Sequence, residues 1–439
     1  MTRHVIVGMG VAGISAAGAI RSVDHSAEIL LVSNDINGFY SRPGLAYLLT
    51  GELNEEQLYI YSKEDWRQLN AKQVKAQAVR LLPKEHKLAL DHASPLVYDR
   101  LLLATGTTAA PLSVPGADLK NVMYLDHLED TRAILNRVRY TRTAVVAGGG
   151  VVALELVEGL AAHKIQVHFF LRGDRYWSNL LDEVESHLVE DRLEHAGVRV
   201  HPNTEIAEIL GSRGAVSAVR TTHGETIACG MVAVAIGARP RIELAQAAGL
   251  EVERGILINE TMQTSTPDVY AAGDVGQVYD PLTGKKSLDM LWNPAREQGR
   301  TAGINMAGSS AVYRRAVAVN VLRLGGVMTT IIGAVASGKD DSPLSIMRGS
   351  SETWQLLPNT IAVANGGGFN QLRLVLGERT ITGALLMGEQ TLSIPLQELV
   401  SGQVDITSIR AQLLHPGAAL GELLLEFWLN YSLERKNVA

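Results

Sequence analysis

Two glycine turns limit this chain to folds that repeat a dinucleotide-binding unit. The first reads Val5-Ile6-Val7-Gly8-Met9-Gly10-Val11-Ala12-Gly13. The second reads Ala144-Val145-Val146-Ala147-Gly148-Gly149-Gly150-Val151-Val152-Ala153. Each is an apolar strand, a glycine turn and then a helical pattern. Gly8 permits the tight turn, Gly10 lets the backbone approach a pyrophosphate, and Gly13 lets the helix pack on the sheet. The helix N-terminus, at Val11 and Ala12, aims unpaired N–H groups at the phosphates. Gly148, Gly150 and Ala153 hold the same three places in the second copy, with alanine allowed in the third. One such turn is a weak signal, since any tight strand-to-helix turn favours glycine. Two in one chain imply two dinucleotides side by side, as needed to pass a hydride or electrons between them.

The residues after each loop extend the pattern. A helix is expected over Ile14–Val23, then a strand over Glu28–Val32 and the run Ser33-Asn34-Asp35. A polar residue just after that strand would hydrogen-bond the adenosine ribose, and Asn34 stands nearer the expected place than Asp35. After the second helix, Gln166–Arg175 reads as the matching strand. Arg172 and Arg175 could there meet a 2′-phosphate.

Bulk properties exclude several other classes. At 439 residues the chain should form about two to four domains. A net charge of −6, with no basic stripe among aromatics, makes nucleic acid an unlikely partner. Cys229 is the one cysteine, so neither an internal disulfide nor a Cys-x-x-Cys redox pair is possible. That usage fits a reducing cytoplasm. The first strand begins at once, leaving no room for a signal peptide, and no apolar run approaches the length of a membrane span. Cys229 reads as a small buried hydrophobe, and His163 and His168 as residues of a surface or strand edge. The histidines lack metal-ligand spacing, so no metal site is expected.

Three further segments are recognisable. Phe39-Tyr40-Ser41-Arg42-Pro43-Gly44-Leu45, Tyr98-Asp99-Arg100-Leu101-Leu102-Leu103-Ala104-Thr105-Gly106 and Ser265-Thr266-Pro267-Asp268-Val269-Tyr270-Ala271-Ala272-Gly273-Asp274 resemble motifs of FAD-dependent pyridine nucleotide-disulfide oxidoreductases. The likeness is to the branch of rubredoxin reductases, ferredoxin reductases and nitrite reductase flavoproteins, and runs from Thr2 to about Gly308. It implies FAD on the first loop. Arg42 would lie near its phosphates and isoalloxazine, and the Val79 backbone at its adenine. Ala104, Thr105 and Gly106 would mark the exit from the FAD domain, and Gly273 and Asp274 would meet the ribityl chain. Trp292 and Ala295 open a helix whose start lies near the flavin pyrimidine ring in relatives, where its dipole would stabilise negative charge. Glu155 would point toward the nicotinamide–flavin interface. Ala235-Ile236-Gly237-Ala238-Arg239-Pro240 resembles the strand end that closes over the nicotinamide. NADH users of the family tend to carry an acid where Leu171 stands, so the coenzyme, NADH or NADPH, is left open with a slight lean to NADPH. The family's disulfide reductases need two cysteines on the first long helix, and its oxidases and peroxidases need one that aligns with Arg42. Both are missing. Many relatives also have a lysine near Tyr47 that pairs with the glutamate matching Glu155.

The expected fold is α/β, with two Rossmann-like dinucleotide-binding domains and a C-terminal α+β interface domain. The bounds are 1–112 with 245–318 for FAD, 113–244 for NAD(P), and 319–439 for the interface, which in relatives often forms a homodimer. A linker is expected around 113–118. Leu372–Leu376 and Thr380–Leu386 should form a hairpin. Leu420, Leu423, Leu424, Phe427, Trp428 and Tyr431 recur at helical spacing and should dock on the core or an interface. The resemblance implies an NAD(P)H oxidoreductase that passes electrons through FAD to a small ferredoxin- or rubredoxin-like carrier. The alternatives are a quinone reductase using the terminal helix, or a redox-sensing flavoprotein.

Overall fold

The computed structural model describes residues 1–280, 284–336 and 347–438. The first glycine strand, Arg3–Val7, is the centre of a five-stranded parallel sheet. On one side lie Glu28–Ser33 and Lys72–Lys75, and on the other Arg100–Leu103 and Val269–Ala271. The second glycine strand, Thr143–Ala147, holds the same place in its own parallel sheet. Gln166–Phe170 and Arg199–His201 flank it on one side, with Met231–Val234 and Val122–Tyr124 on the other. Strands buried on both faces read as near-continuous apolar runs, as Val5–Val7 and Val145–Ala147 do. In such a sheet a ligand sits beyond the strand C-termini where the strand order reverses. Here that is the tip of each glycine strand.

Both loops are built by one device. Gly8 has φ +111°, and a Cβ there would stand 2.1 Å from the Ala104 carbonyl oxygen. Gly148 has φ +145°, and its Cβ would stand 2.2 Å from the Ala235 carbonyl oxygen. Each first glycine is thus pressed against the end of the neighbouring strand, and no side chain fits. Gly13 serves packing, since its Cβ would meet the Gly8 carbonyl oxygen at 2.1 Å.

The first loop helix, Val11–Val23, packs on the helix Trp292–Met306. Gly299 and Gly303, four residues apart on one face, take the ridge of the first helix. Their Cβ atoms would stand 2.1 Å from the Ala12 oxygen and 2.3 Å from the Ala16 oxygen. A crossing this close brings the start of the later helix beside the first loop. Its small-residue pair is visible in the sequence, though its partner lies far away in the chain.

The last part of the chain forms a five-stranded antiparallel sheet, with Val319–Leu324, Val327–Gly333, Ile381–Met387, Asn370–Leu376 and Ile361–Gly367 in spatial order. The hairpin expected over Leu372–Leu386 is its third and fourth strands. Alternate residues face two ways. Ile331 and Leu385 join the core shared with the second parallel sheet. Ile332, Ala384 and Leu386 join a separate core under the helices Ser393–Ser401, Thr407–Leu413 and Leu420–Val438. In the last helix Leu420 and Leu424 are buried there, with Leu423, Phe427, Trp428 and Tyr431 packed against the same cluster. Trp428 also donates to Glu398 at 2.8 Å. The apolar face is spent on the chain's own core, and no helix among the described residues is long and apolar enough to cross a membrane.

Two local expectations differ, the end of one strand and the place of His168. The strand expected over Gln166–Arg175 ends at Phe170, because the chain turns there to bond His201 and Thr204. His168 is not at an edge. It is buried inside the sheet and stacked on His201, with Nδ1 3.0 Å from the partner's Nε2. His163 is on the surface, its ring bonded to the Leu49 carbonyl. The 113–118 segment lies outside helix and strand and is held to its neighbour: Pro115 accepts from Ile209 N–H, and Gly116 lies against the same residue. Cys229 is buried, and burial pushes its thiol up to about 11.

Candidate functional site

A cavity of about 730 Å³ runs along the tip of the first parallel sheet. The first loop contributes Gly8, Gly10, Val11 and Ala12 to its wall, and the following strand contributes Ser33, Asn34 and Asp35. Arg42, Val79, Ala104, Thr105, Gly106, Gly273, Asp274, Trp292 and Ala295 complete most of the set picked from the sequence. Glu155 reaches it from the second loop helix, Val151–Ala162.

The wall has the chemistry of a dinucleotide cradle. Gly10 is the N-cap of the first helix, yet no side chain caps that end and its first turn holds no acid. Its free N–H groups and partial positive charge are left for an anion. A Cβ at Gly10 would meet nothing within 4 Å, so that face opens into the cavity. Asn34 is exposed on the cavity wall, while Asp35 is engaged by Asn37 N–H at 3.0 Å and Tyr40 Oη at 3.2 Å. Asn34 makes no side-chain hydrogen bond among the described residues.

Positive charge converges nearby. Arg42 lies 3.2 Å from His127 Nδ1, and Arg241 lies 3.1 Å from His127 Nε2. Burial, followed by the Arg42 charge, lowers the His127 pKa. A neutral imidazole can accept from one of these guanidinium groups, not both. A diphosphate drawing one arginine away would relieve that conflict. Arg241 and His127 were not found from sequence, because their meeting with Arg42 joins segments far apart in the chain.

Asp274 has no side-chain hydrogen bond among the described residues, and burial raises its pKa to about 6 despite Arg42 and Arg348. A polyol hydroxyl would satisfy it. The turn that presents it is held by Gln298, whose buried side chain accepts from Gly273 N–H at 2.9 Å. At the far end, the Trp292–Met306 helix begins without a side-chain cap or first-turn acid. Trp292 stacks on Phe39 with ring centroids 6.3 Å apart.

Glu155 is half-buried on the cavity wall. Burial raises its pKa to about 7, Arg348 opposes the shift and Glu158 adds to it. Tyr47, in the place where relatives carry lysine, lies under the Arg323 guanidinium at 5.1 Å from the ring centre. Arg323 and Arg348 both line the cavity and bring positive charge from the C-terminal part of the chain.

The rest of the second-loop set lies outside this cavity. Gly148, Gly150, Ala153, Arg172 and Gly237 do not line it. Ala153 is fully buried beside Gly148. Gly150 is covered by Met347. Arg175 is not available to a phosphate: it is buried, paired with Asp174 and bonded to the Ser178 and Leu181 carbonyls. Arg172 is exposed. Val7 pairs with Val32, and Ala147 with Phe170. By that register the counterpart of Asn34 is Arg172, and buried Leu171 corresponds to Ser33.

Glu155 gives a pH prediction. Its folded pKa lies above the ordinary 4.5, so the folded state holds its proton while the unfolded state has lost it. Its contribution is therefore most favourable below pH 4.5 and is lost as pH rises through about 7. Glu155→Gln should raise the Tm of the flavin-loaded protein at pH 8 and leave it nearly unchanged at pH 4.5. Thermal scans at both values check this, and equal differences at the two would contradict it.

Residues 2–299 match the pyridine nucleotide-disulphide oxidoreductase family. An NADH oxidase of Methanocaldococcus jannaschii is 30% identical over 347 residues, 76% of this chain and 77% of its own length. The ferredoxin–NAD(+) reductase component of the biphenyl dioxygenase system of Paraburkholderia xenovorans is 33% identical, over 66% of this chain and 72% of its own. Among solved structures, a ferredoxin reductase from Rhodopseudomonas palustris superposes with a TM-score of 0.84 at 22% identity, covering 96% of this chain and 99% of its own. At that identity the likeness speaks for the fold alone.

Proposed function

Because this chain belongs to the pyridine nucleotide-disulphide oxidoreductase family, we propose that it is an FAD-dependent NAD(P)H oxidoreductase delivering electrons to a separate small carrier of ferredoxin or rubredoxin type. The observation that carries this reading is that both glycine-loop helices reach one cavity. Val11 and Ala12 of the first and Val151, Val152 and Glu155 of the second line the same wall. When bound, FAD supplies hydride acceptance from a reduced nicotinamide and release of electrons one at a time. The protein's own residues bind and orient. Gly10 and the N–H groups after it, with Arg42 and Arg241, hold the diphosphate, while Asn34 holds the ribose and Asp274 the ribityl hydroxyls. The N-terminus of the Trp292–Met306 helix favours negative charge at the ring. Val151, Val152 and Glu155 face the nicotinamide side. Arg172, at the register position of Asn34, reads the adenosine ribose of the coenzyme and favours a 2′-phosphate.

A thiol mechanism has no residue to carry it. Arg42 occupies the place of the family's peroxidatic cysteine, and Cys229 is buried in another core with its thiol held protonated. Electrons must therefore leave through an external acceptor. The test is a coupled assay: NAD(P)H, the flavin-loaded protein, a purified ferredoxin or rubredoxin, and cytochrome c as final acceptor. Cytochrome c reduction should require the carrier and saturate with it. A rate independent of both carriers, together with a carrier-free rate on a soluble quinone, would replace this reading by a quinone reductase.

A further inference from the structure

The two loops differ at their second glycine. Gly10 faces open space. At Gly150 a Cβ would stand 2.1 Å from Met347 Sδ and 2.6 Å from Met347 Cε. The second glycine of such a loop lacks a side chain so that a pyrophosphate can come close on that face. The Met347 thioether fills that face, and Gly150 is buried beneath it.

Met347 belongs to a strap, residues 347–354, that lies ahead of the sheet strand Ile361–Gly367 and runs beside the segment before Trp292. Ser350 Oγ bonds both ends of the Met347 backbone, at 3.1 Å to its N–H and 2.6 Å to its carbonyl. Gly349 N–H donates to Met290 O at 2.9 Å, and Met290 N–H donates to Ser350 O at 3.0 Å. Asn320 holds the Gly349 carbonyl at 2.8 Å. Further on, Ser351 bonds Asp289, and Glu352 accepts Leu288 N–H at 2.8 Å. The strap is therefore tied to the stretch that leads into the flavin-side helix. Arg348, next to Met347, lines the cavity at the first loop and donates to the Asp126 carbonyl at 3.3 Å.

We propose that the Met347 strap is a gate on the second dinucleotide site: the Met347 side chain and the pyrophosphate of the nicotinamide coenzyme compete for the same space over Gly150. This rests on the reading of that site as the NAD(P)H site. A coenzyme must displace Met347 to seat its phosphates, so its apparent affinity is reduced by the fraction of molecules with the seat open. The hydrogen bonds to Met290 place that opening in contact with the flavin end of the cavity.

The experiment measures ADP-ribose binding to the flavin-loaded protein by calorimetry. ADP-ribose carries the pyrophosphate without the nicotinamide, so binding is read apart from turnover. Met347→Ala removes the sulfur and methyl and should bind ADP-ribose about tenfold more tightly or better. Met347→Leu keeps the bulk and should stay close to wild type. Ser350→Ala loosens the turn that holds Met347 and should tighten binding in the same direction. A contact that only stabilised the fold would not give tighter binding. Equal or weaker affinity in both Met347→Ala and Ser350→Ala overturns the gate, as does ADP-ribose binding to none of the proteins. If ADP-ribose tightens as expected but no reduced nicotinamide reduces the flavin, the gate stands and the proposed function fails.

Discussion

A Gly10→Val protein is expected to fold and to purify without flavin colour. Gly10 sits at φ −75° and ψ −177°, extended backbone that valine adopts readily. Its Cβ position touches no protein atom within 4 Å, so the substitution creates no clash inside the chain. The two added methyl groups project instead into the space over the helix N-terminus, where the diphosphate must approach. FAD affinity should fall by more than about a hundredfold, roughly 2.7 kcal/mol or more. Circular dichroism of the apoprotein should remain close to wild type. Gly8→Ala is the contrasting control. There φ is +111° and the new Cβ meets the Ala104 carbonyl, so the strand end or the loop must give way. That variant should lose stability as well as flavin. A flavin-replete Gly10→Val protein would remove the first loop from the binding site.

Arg373→Ala is expected to destabilise the protein by about 3–5 kcal/mol. Arg373 comes from the C-terminal sheet and is buried against Glu185 of the helix Glu183–His195. Two hydrogen bonds join the pair, at 2.8 and 3.0 Å, and the guanidinium also donates to the Val335 and Leu180 carbonyls at 2.6 and 2.8 Å. Removing the arginine leaves a buried carboxylate and two carbonyls without their donor. Burial already raises the Glu185 pKa, although Arg373 opposes the shift. In the variant that opposition is gone and the folded pKa rises further, so the loss should be greatest at high pH, where Glu185 is ionised, and shrink as the pH falls through its raised folded range and the carboxyl is protonated in both proteins. Urea unfolding at pH 5 and pH 8 measures both effects. The double variant Arg373→Met, Glu185→Leu should recover most of the loss, because an apolar pair of similar bulk carries no stranded charge. A double variant as unstable as Arg373→Ala would show that the carbonyl bonds, not the charge, hold the two parts together.

What the sequence disclosed and what it hid divide along chain distance. Gly8, Gly10 and Gly148 are legible because their reason is local: a turn and a helix start. Arg42, Val79 and Trp292 needed the family resemblance, and all three come to the cavity wall. Arg241, His127 and Gln298 were missed because each acts on a partner distant in sequence. His168 was misread for the same reason. Nothing in Gln166–Phe170 foretells the His201 ring that covers it. Strand register adds what the sequence alone does not show: Arg172 stands where Asn34 does in the first sheet, and Leu171 where Ser33 does. Met347 lay hidden most deeply, since a methionine far down the chain carries no sign that it will cover Gly150.

The central claim is that two dinucleotides meet in this chain and that reducing equivalents pass from the second to the first. The most direct measurement is anaerobic stopped-flow mixing of the flavin-loaded protein with NADH and, separately, with NADPH. The flavin visible band should be lost within a single turnover, and faster with NADPH if Arg172 reads the ribose. A flavin band unchanged by either coenzyme would contradict the claim.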